Sequence, residues 1–274
     1  MKTLLVPVDF SKNSLSAAEY AVGLAARMKA RVELFHVFMV NDPGKKSALA
    51  AIIYGTGDVR SIVDRKLFNI AKKYVGKVKI SYSTGEGIAA VSILERAKKL
   101  KAEFIVLGLH GRNNALKLFS GRTTATIIRN APCKVLVVPE GTKFKSWKRI
   151  VFTTDLRNDN LSFAKPASAI ARHFNAELVF LFVDSKFMIH SDDEISEMTT
   201  KMRSRTNYKK ISGYVCSEMS LREGVNFFLR HKKADVVAMV TRHYGYPGSL
   251  WKKTSSVKVA KHISLPLLVF EKLK

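Results

Sequence analysis

The stretch from residue 104 to residue 138 constrains the fold more than any other part of this chain. Its two short apolar runs, residues 104–107 and 135–138, have the length and composition of buried strands. We predict a helix beginning near Thr123, and strand, helix and strand in this order form the crossover unit of a parallel sheet. Three glycines precede the helix: Gly108, Gly111 and Gly121. Because such glycines let backbone N–H groups approach a ligand at a helix N-terminus, the stretch predicts a phosphate site.

This stretch resembles the ATP-binding subgroup of the universal stress protein family. The family motif is glycine, two residues, glycine, nine residues, glycine, then serine or threonine, and its glycines are met by Gly108, Gly111 and Gly121. One position departs, because Arg122 occupies the place of the hydroxyl residue and Thr123 follows one residue later. The opening KTLLVPVDFS and the segment APCKVLVV also resemble the family, so the resemblance covers nearly the whole chain.

The length favours two domains. A chain of 274 residues accommodates two α/β units of ordinary size, which we predict at residues 1–140 and 147–274, with a short polar link between them. The two cysteines, Cys133 and Cys216, lie in separate halves at no metal-ligand spacing, which indicates reduced thiols in a cytoplasmic protein. No apolar run is long enough to span a bilayer, so we expect a soluble protein.

The chain is strongly basic, with 47 Lys and Arg against 22 Asp and Glu and a net charge of +25. The excess is spread evenly, because residues 1–140 hold 23 basic and 10 acidic residues and the remainder holds 24 and 12. This spread favours two folded domains with basic surfaces over a disordered basic tail. Such surfaces attract polyanions. Without a recognisable nucleic-acid motif, lineage composition or solubility is the simpler explanation.

The first half alternates strands and helices. Ser11 is a candidate N-cap for a helix over residues 11–29, whose apolar positions recur at helical spacing. The predicted strands cover residues 3–8, 31–38, 77–82, 104–107 and 135–138, and further helices cover 61–75 and 88–100. In such sheets, ligands bind beyond the carboxyl ends of strands, where Asp9, Val37 and Gly108 fall. The resemblance implies the strand order 3-2-1-4-5 of the adenine nucleotide alpha hydrolase-like fold.

The second half repeats this pattern, so we predict two tandem doubly wound five-stranded parallel-sheet domains of the α/β class. Asp155 ends its first strand as Asp9 does in the first half, and residues 177–183, 234–240 and 267–270 repeat later strands. The glycines do not recur, because Thr241 and Tyr244 stand at the expected places of Gly108 and Gly111. We therefore predict one nucleotide per chain, bound by the first half.

The resemblance also implies roles for the site residues. Asp9 would accept hydrogen bonds from the ribose or the adenine edge, Pro7 and Val8 would lie along the base, and Val37 and Leu107 would form its apolar bed. The phosphates of ATP, possibly with Mg²⁺, would be bound by backbone N–H groups and the helix N-terminus at Gly108, Gly111, Arg112, Gly121, Arg122 and Thr123. Arg122 could hold phosphate oxygens, or the loss of the hydroxyl could weaken Mg²⁺ or γ-phosphate binding.

Structural alternatives exist for the same residues. Asp9 could cap the following helix, and the glycines could be turn residues of a relative that binds no nucleotide.

The leading functional hypothesis is a cytoplasmic stress-response protein that binds ATP or a related adenine nucleotide and acts as a nucleotide-dependent regulator. The alternative is a nucleotide-free scaffold whose basic surface binds nucleic acid or an acidic protein. Walker A, GxSxG, HExxH and CxxC motifs are absent from the sequence, so we expect no dedicated enzyme and at most slow ATP hydrolysis. By resemblance, residues 135–138 and 267–270 would pair within one chain, and a homodimer could still form.

Overall fold

The structure is a computed structural model that describes residues 1–38, 59–109, 121–154, 163–183, 192–218, 220–240 and 264–270. The chain divides into two compact units, Met1–Phe144 and Lys145–Lys274. Gly111, Arg112, Asp155, Thr241 and Tyr244 lie outside the described residues.

The first unit is a parallel sheet with helices between its strands. Its strands are β1 (Thr3–Pro7), β2 (Arg31–Phe38), β3 (Lys79–Glu86), β4 (Phe104–Gly108) and β5 (Lys134–Val138). Its helices are α1 (Lys12–Met28), α2 (Val59–Lys72), α3 (Ala89–Leu100) and α4 (Gly121–Asn130). All neighbouring strands pair in parallel in the order β3-β2-β1-β4-β5, which confirms the predicted order.

Helix α1 shows how the sequence sets its own boundaries. Ser11 is the N-cap, and its hydroxyl accepts a hydrogen bond from the Ser14 backbone N–H at 3.2 Å. Lys29 ends the helix in the left-handed conformation. The buried face is rich in alanine, which lets the helix lie close to the sheet. The helical spacing of Leu15, Ala18, Val22, Ala25 and Met28 predicts that all five lie on this face, but Leu15 is 37% exposed.

The second unit repeats the architecture. Its strands are β6 (Arg149–Thr154), β7 (Glu177–Val183), β8 (Ile211–Cys216), β9 (Val236–Val240) and β10 (Leu267–Phe270), and its described helices are α5 (Ala164–Phe174), α6 (Asp192–Thr206) and α7 (Leu221–His231). The strands pair in parallel in the order β8-β7-β6-β9-β10. The prediction of two doubly wound parallel sheets is confirmed.

The repeat extends to individual hydrogen bonds. The Arg31 backbone N–H donates to the Lys2 carbonyl at 3.0 Å, and at the matched position the Glu177 N–H donates to the Lys148 carbonyl at 2.8 Å. Such agreement supports an internal duplication.

Sequence reasoning left several elements short or unplaced. Strand β3 continues to Glu86, four residues beyond the predicted end at residue 82, so Gly85 pairs with Val37 inside the sheet. A side chain at Gly85 would collide with the Phe35 ring, which fills that space. Helix α6, strand β8 and helix α7 were not predicted individually. For α6 the reason is that it has few apolar residues to mark a helical period. None of the described helices combines the length and the apolar character needed to cross a bilayer.

Candidate functional site

A small crevice with a mostly apolar lining and a few polar groups lies beyond the carboxyl ends of β1 and β4 in the first unit. Its walls come from two strand ends and the first turns of two helices. The lining residues are Pro7, Asp9, Ser11, Ser14, Leu107, Gly108, Thr123, Thr124 and Ile127. The space that they enclose is about 10 Å³, roughly what one water molecule needs. Among the described residues, the crevice is therefore too small to enclose a ligand larger than a water molecule.

Asp9 is held in place by the start of α1. Its Oδ1 accepts hydrogen bonds from the Ser11 backbone N–H at 3.1 Å and from the Ser11 hydroxyl at 2.5 Å. The Asp9 backbone N–H donates to the Ser14 hydroxyl at 3.2 Å. Ser11 in turn caps α1, so the carboxylate and the helix N-terminus form one network. The alternative prediction that Asp9 caps the helix is thus correct in part. Ser11 is the N-cap, and Asp9 holds Ser11 by accepting hydrogen bonds from it.

Gly108 is required by packing whether or not a ligand binds. A Cβ atom added at this residue would lie 2.4 Å from the Asn13 carbonyl oxygen and 3.0 Å from the Ser14 nitrogen. These are backbone atoms of α1, so a larger residue would force the helix away from β4. Since α1 carries the Ser11 and Asp9 network, this close approach also brings the end of β4 to the crevice.

The first turn of α4 forms the opposite wall. Thr123 is half-buried, Thr124 is 9% exposed, and both line the crevice, while the Arg122 side chain is exposed. A helix N-terminus presents unpaired N–H groups and a partial positive charge, which suits an anion. The observed helix begins at Gly121, two residues before the predicted start.

A buried histidine lies beneath the end of β1. His36 on β2 is fully buried, and its Nδ1 lies 2.6 Å from the Val8 carbonyl oxygen, so Nδ1 carries the proton and donates. Burial lowers the pKa of His36 below its ordinary value, against the opposing effects of the Val8 hydrogen bond and the Asp9 charge. The Phe10 ring lies 4.7 Å from the imidazole, and Lys66 Nζ lies 5.3 Å from the centre of that ring.

The predicted residues divide into three groups. The crevice brings together Pro7, Asp9, Leu107, Gly108 and Thr123. Val8 is fully buried and Val37 is 4% exposed, so both lie in the core that supports the strand ends rather than in the crevice lining. The remaining predicted residues are Gly121 and Arg122, which open α4, and Gly111 and Arg112, which lie outside the described residues.

Sequence reasoning missed the two serines and Thr124. The segment from Asp9 to Ser14 contains a capping pattern that was used only to place α1, although Ser11 and Ser14 also line the crevice. Thr124 follows Thr123 directly, and the turn of α4 brings both to the crevice.

The register of the second unit corrects one expected correspondence. Phe104 pairs with Leu4 in the first unit, and Val236 pairs with Ile150 in the second. Counting from these pairs, Val240 rather than Thr241 matches Gly108. The conclusion that the second unit lacks this glycine is unchanged, because valine also carries a side chain.

Comparison with known proteins identifies relatives of this fold. The profile of the universal stress protein family matches residues 1–139. A universal stress protein of Methanocaldococcus jannaschii is 30% identical over 148 residues, covering 52% of this chain and 84% of that protein. One of Synechocystis sp. is 29% identical over 140 residues, covering 50% of this chain and 85% of that protein. The crystal structure of a universal stress protein from Archaeoglobus fulgidus shares the fold, with a TM-score of 0.73 at 14% identity over 98% of this chain and 96% of that chain. This chain therefore belongs to the universal stress protein family.

Proposed function

We propose that the first unit binds one adenine nucleotide, ATP or a related form, and that occupancy regulates how the protein interacts with a partner. The observation that carries this proposal is the convergence of Asp9, Gly108 and Thr123 on one crevice at the carboxyl edge of a parallel sheet. Ligands bind at this edge in open α/β sheets because loops and helix N-termini meet there.

The floor of the crevice offers the groups that a nucleoside needs. The Asp9 carboxylate is an acceptor that Ser11 already orients, so it can accept from ribose hydroxyls or the adenine amino group without losing further side-chain freedom. Pro7 and Leu107 add apolar surface beside it. An apolar lining with a few placed polar groups is the usual composition of such sites.

The phosphates would extend toward α4. The N–H groups of its first turn and the Thr123 hydroxyl can bind phosphate oxygens, and the helix dipole favours their charge. Arg122 is exposed at the same helix start, where its guanidinium could add charge-assisted hydrogen bonds of roughly 1.5 to 3 kcal/mol each. We retain Gly111 and Arg112 as proposed phosphate contacts through their backbone N–H groups.

Mg²⁺ would enter as its complex with the nucleotide. Among the described residues, no group of three His, Cys, Asp or Glu side chains could hold a metal ion. The carboxylate lining the crevice, Asp9, already accepts two hydrogen bonds from Ser11. Phosphate oxygens and water would therefore supply most of the ligands that Mg²⁺ prefers.

Calorimetric titration of ATP with Mg²⁺ into Asp9 variants tests this assignment. Asp9→Asn removes the charge but keeps an acceptor for Ser11, so the cap of α1 should survive. We expect about 10- to 100-fold weaker binding, the equivalent of one charged hydrogen bond. Glu140→Gln is the matched control, because it removes an exposed carboxylate near the same edge. Equal affinities in wild type and Asp9→Asn would overturn the assignment of Asp9.

The remaining parts of the proposal concern the whole chain. A cytoplasmic location fits the two cysteines, since Cys133 and Cys216 are both buried thiols outside any disulfide. Pairing of β5 with β10 within one chain, and a homodimer of whole chains, stay predictions that cross-linking and sedimentation can test.

A further inference from the structure

Basic residues gather at the edge of the first unit that lies opposite the crevice. This edge contains the amino ends of the parallel strands and the carboxyl ends of the helices. Four basic residues stand at strand starts: Lys2, Arg31, Lys79 and Lys134. Four more lie in the turns that lead into strands: Lys29, Lys73, Lys77 and Lys101. We call these eight residues the basic rim.

The basic rim has little acidic compensation. Among the described residues, Glu103 is the acid at this edge, and its Oε1 lies 3.5 Å from Lys2 Nζ and 3.1 Å from Lys134 Nζ. Burial raises the pKa of the Glu103 carboxyl, but the two lysines outweigh this effect and hold the pKa below its ordinary value. A carboxylate that already faces two cations leaves the net potential of the edge positive.

The crevice edge of the same unit is balanced. At its described strand ends and helix starts, three acids stand against three bases: Asp9, Glu86 and Glu140 against Lys12, Arg60 and Arg122. The positive charge of the described first unit is thus polarised toward the basic rim.

Helix dipoles explain only part of this polarity. Cations in the last turn of a helix offset the partial negative charge there, which accounts for Arg27, Lys72, Lys98, Lys99 and Arg129. They do not account for lysines at strand starts, because sheets have only small net dipoles. The strand-start members Lys2, Arg31, Lys79 and Lys134 are therefore an excess over what the helices need, whereas Lys29, Lys73 and Lys101 lie at or just beyond helix ends.

The second unit shows the same polarity independently. Its amino edge carries Lys148, Lys209, Lys210, Lys232 and Lys233, all exposed. The acids there are already engaged, because Glu177 pairs with Arg149 at 2.6 Å and Asp235 accepts from the Lys148 and Arg149 backbone N–H groups. Both copies of the fold have thus placed more cations than acids at the same structural edge.

We propose that the basic rim binds the phosphate backbone of nucleic acid. Neighbouring strands lie about 4.8 Å apart, so five strand starts span about 19 Å and present cations at close intervals along a line. Such an array matches a linear polyanion and supplies affinity with little sequence preference. Met1 and Val75 are exposed at this edge, and exposed Phe68 lies one turn before the end of α2. One aromatic side chain does not make the continuous apolar face of an interfacial membrane helix.

The test is a comparison of two triple variants of the full chain that remove equal charge. The rim variant is Lys73→Gln, Lys77→Gln and Lys79→Gln. The control is Lys12→Gln, Arg65→Gln and Lys143→Gln, whose residues are equally exposed but lie away from the rim. Fluorescence anisotropy with a labelled oligothymidylate of about 20 nucleotides reports binding between about 50 and 200 mM salt.

We expect the wild type to bind with a steep salt dependence and the rim variant to bind about ten-fold more weakly at about 100 mM salt. The slope of log affinity against log salt should become shallower by about 2, because each lost phosphate contact contributes about 0.7 for a single strand. The control variant should keep the wild-type slope. Equal losses in both variants would overturn the proposal. So would an absence of oligonucleotide binding at about 50 mM salt alongside capture by phosphatidylserine vesicles, which would assign the rim to membranes.

Discussion

Strand β2 of the first unit and strand β7 of the second occupy the same place in their sheets but differ in their buried residues. In the first unit Thr3 pairs with Arg31, and in the second unit Arg149 pairs with Glu177. Counting along the strands from these two pairs, Glu33 corresponds to Val179, and His36 corresponds to Phe182. All four residues of the two matched pairs are at most 5% exposed. The first unit therefore buries a charge and an imidazole where the second unit buries hydrocarbon.

The first helix of each unit also begins with more polar contacts in the first unit than in the second. Helix α1 is capped by Ser11 within the Asp9 network, whereas α5 follows Phe163, which is 6% exposed and provides no side-chain cap. Buried polar groups destabilise a fold unless every one is satisfied, so they are retained where they have a use. This asymmetry is what we expect if the proposed nucleotide site lies in the first unit and the second unit has none.

The largest predicted effect tests the buried charge of the first unit. Arg96 binds Glu33 through its Nε at 2.6 Å, and the Ser83 hydroxyl donates to the same carboxylate at 2.7 Å. Arg96→Met leaves Glu33 buried with one neutral donor, so the free energy of unfolding should fall by about 3 to 4 kcal/mol in urea titrations. The double variant with Glu33→Val, which copies Val179, should recover most of that loss. A double variant no more stable than the single one would contradict this explanation.

The second prediction tests the close approach of α1 and β4. Gly108→Ala places a Cβ against the Asn13 backbone and should lower the free energy of unfolding by about 2 to 3 kcal/mol, because the helix must move. Val240→Ala at the matched position of the second unit should cost only about 1 kcal/mol, since it deletes two methyl groups from a half-buried site. Equal losses by chemical denaturation would remove the packing argument for Gly108.

The third prediction concerns pH and His36. Because burial holds its folded-state pKa below the unfolded value, the unfolded chain takes up the proton first as the pH falls. The free energy of unfolding should therefore decrease below about pH 6.5, by at most about 1.4 kcal/mol per pH unit for this one group. His36→Phe, which copies Phe182, should flatten that decline.

The control for His36 is the exposed His231 of α7. His231→Gln should leave the decline between about pH 6.5 and 5 as it is in the wild type. An unchanged slope in His36→Phe would show that other groups cause the acid sensitivity.

The smallest effect separates helix capping from ligand binding. Ser11→Ala and Ser220→Ala each remove an N-cap hydroxyl, from α1 and α7 respectively, and each should lower the free energy of unfolding by about 1 kcal/mol. Of the two variants, Ser11→Ala alone should also weaken ATP binding, because Ser11 orients Asp9 whereas Ser220 belongs to the second unit. Equal ATP affinities in the two variants would show that the hydrogen bonds between Ser11 and Asp9 do not contribute to ATP binding.

The architecture was predictable because its signals are local. Apolar strand runs, the Ser11 cap and the repeated strand with a terminal acid each depend on neighbouring residues, and they predicted the alternation of strands and helices. The order of the strands in the sheet came from the family resemblance. The crevice was predictable in part, since strand ends and a glycine motif indicated Asp9, Gly108 and Thr123. The packing of Gly108 against Asn13, the hydrogen bond from His36 to Val8 and the pair of Glu33 with Arg96 join residues far apart in sequence. The spacing of apolar residues along the sequence does not indicate such contacts. The gathering of basic residues at one edge of each unit also becomes visible only when the strands lie side by side in the sheet.

The most direct test of the central claim is the stoichiometry of ATP with Mg²⁺ in calorimetric titrations of the wild type and of Gly111→Tyr. That substitution puts a large side chain where the first-unit loop is proposed to approach the phosphates, and circular dichroism checks that the fold is kept. We predict one nucleotide per chain in the wild type and none in the variant. Two sites per chain, or a single site that persists in Gly111→Tyr, would contradict the division into a binding unit and a structural unit.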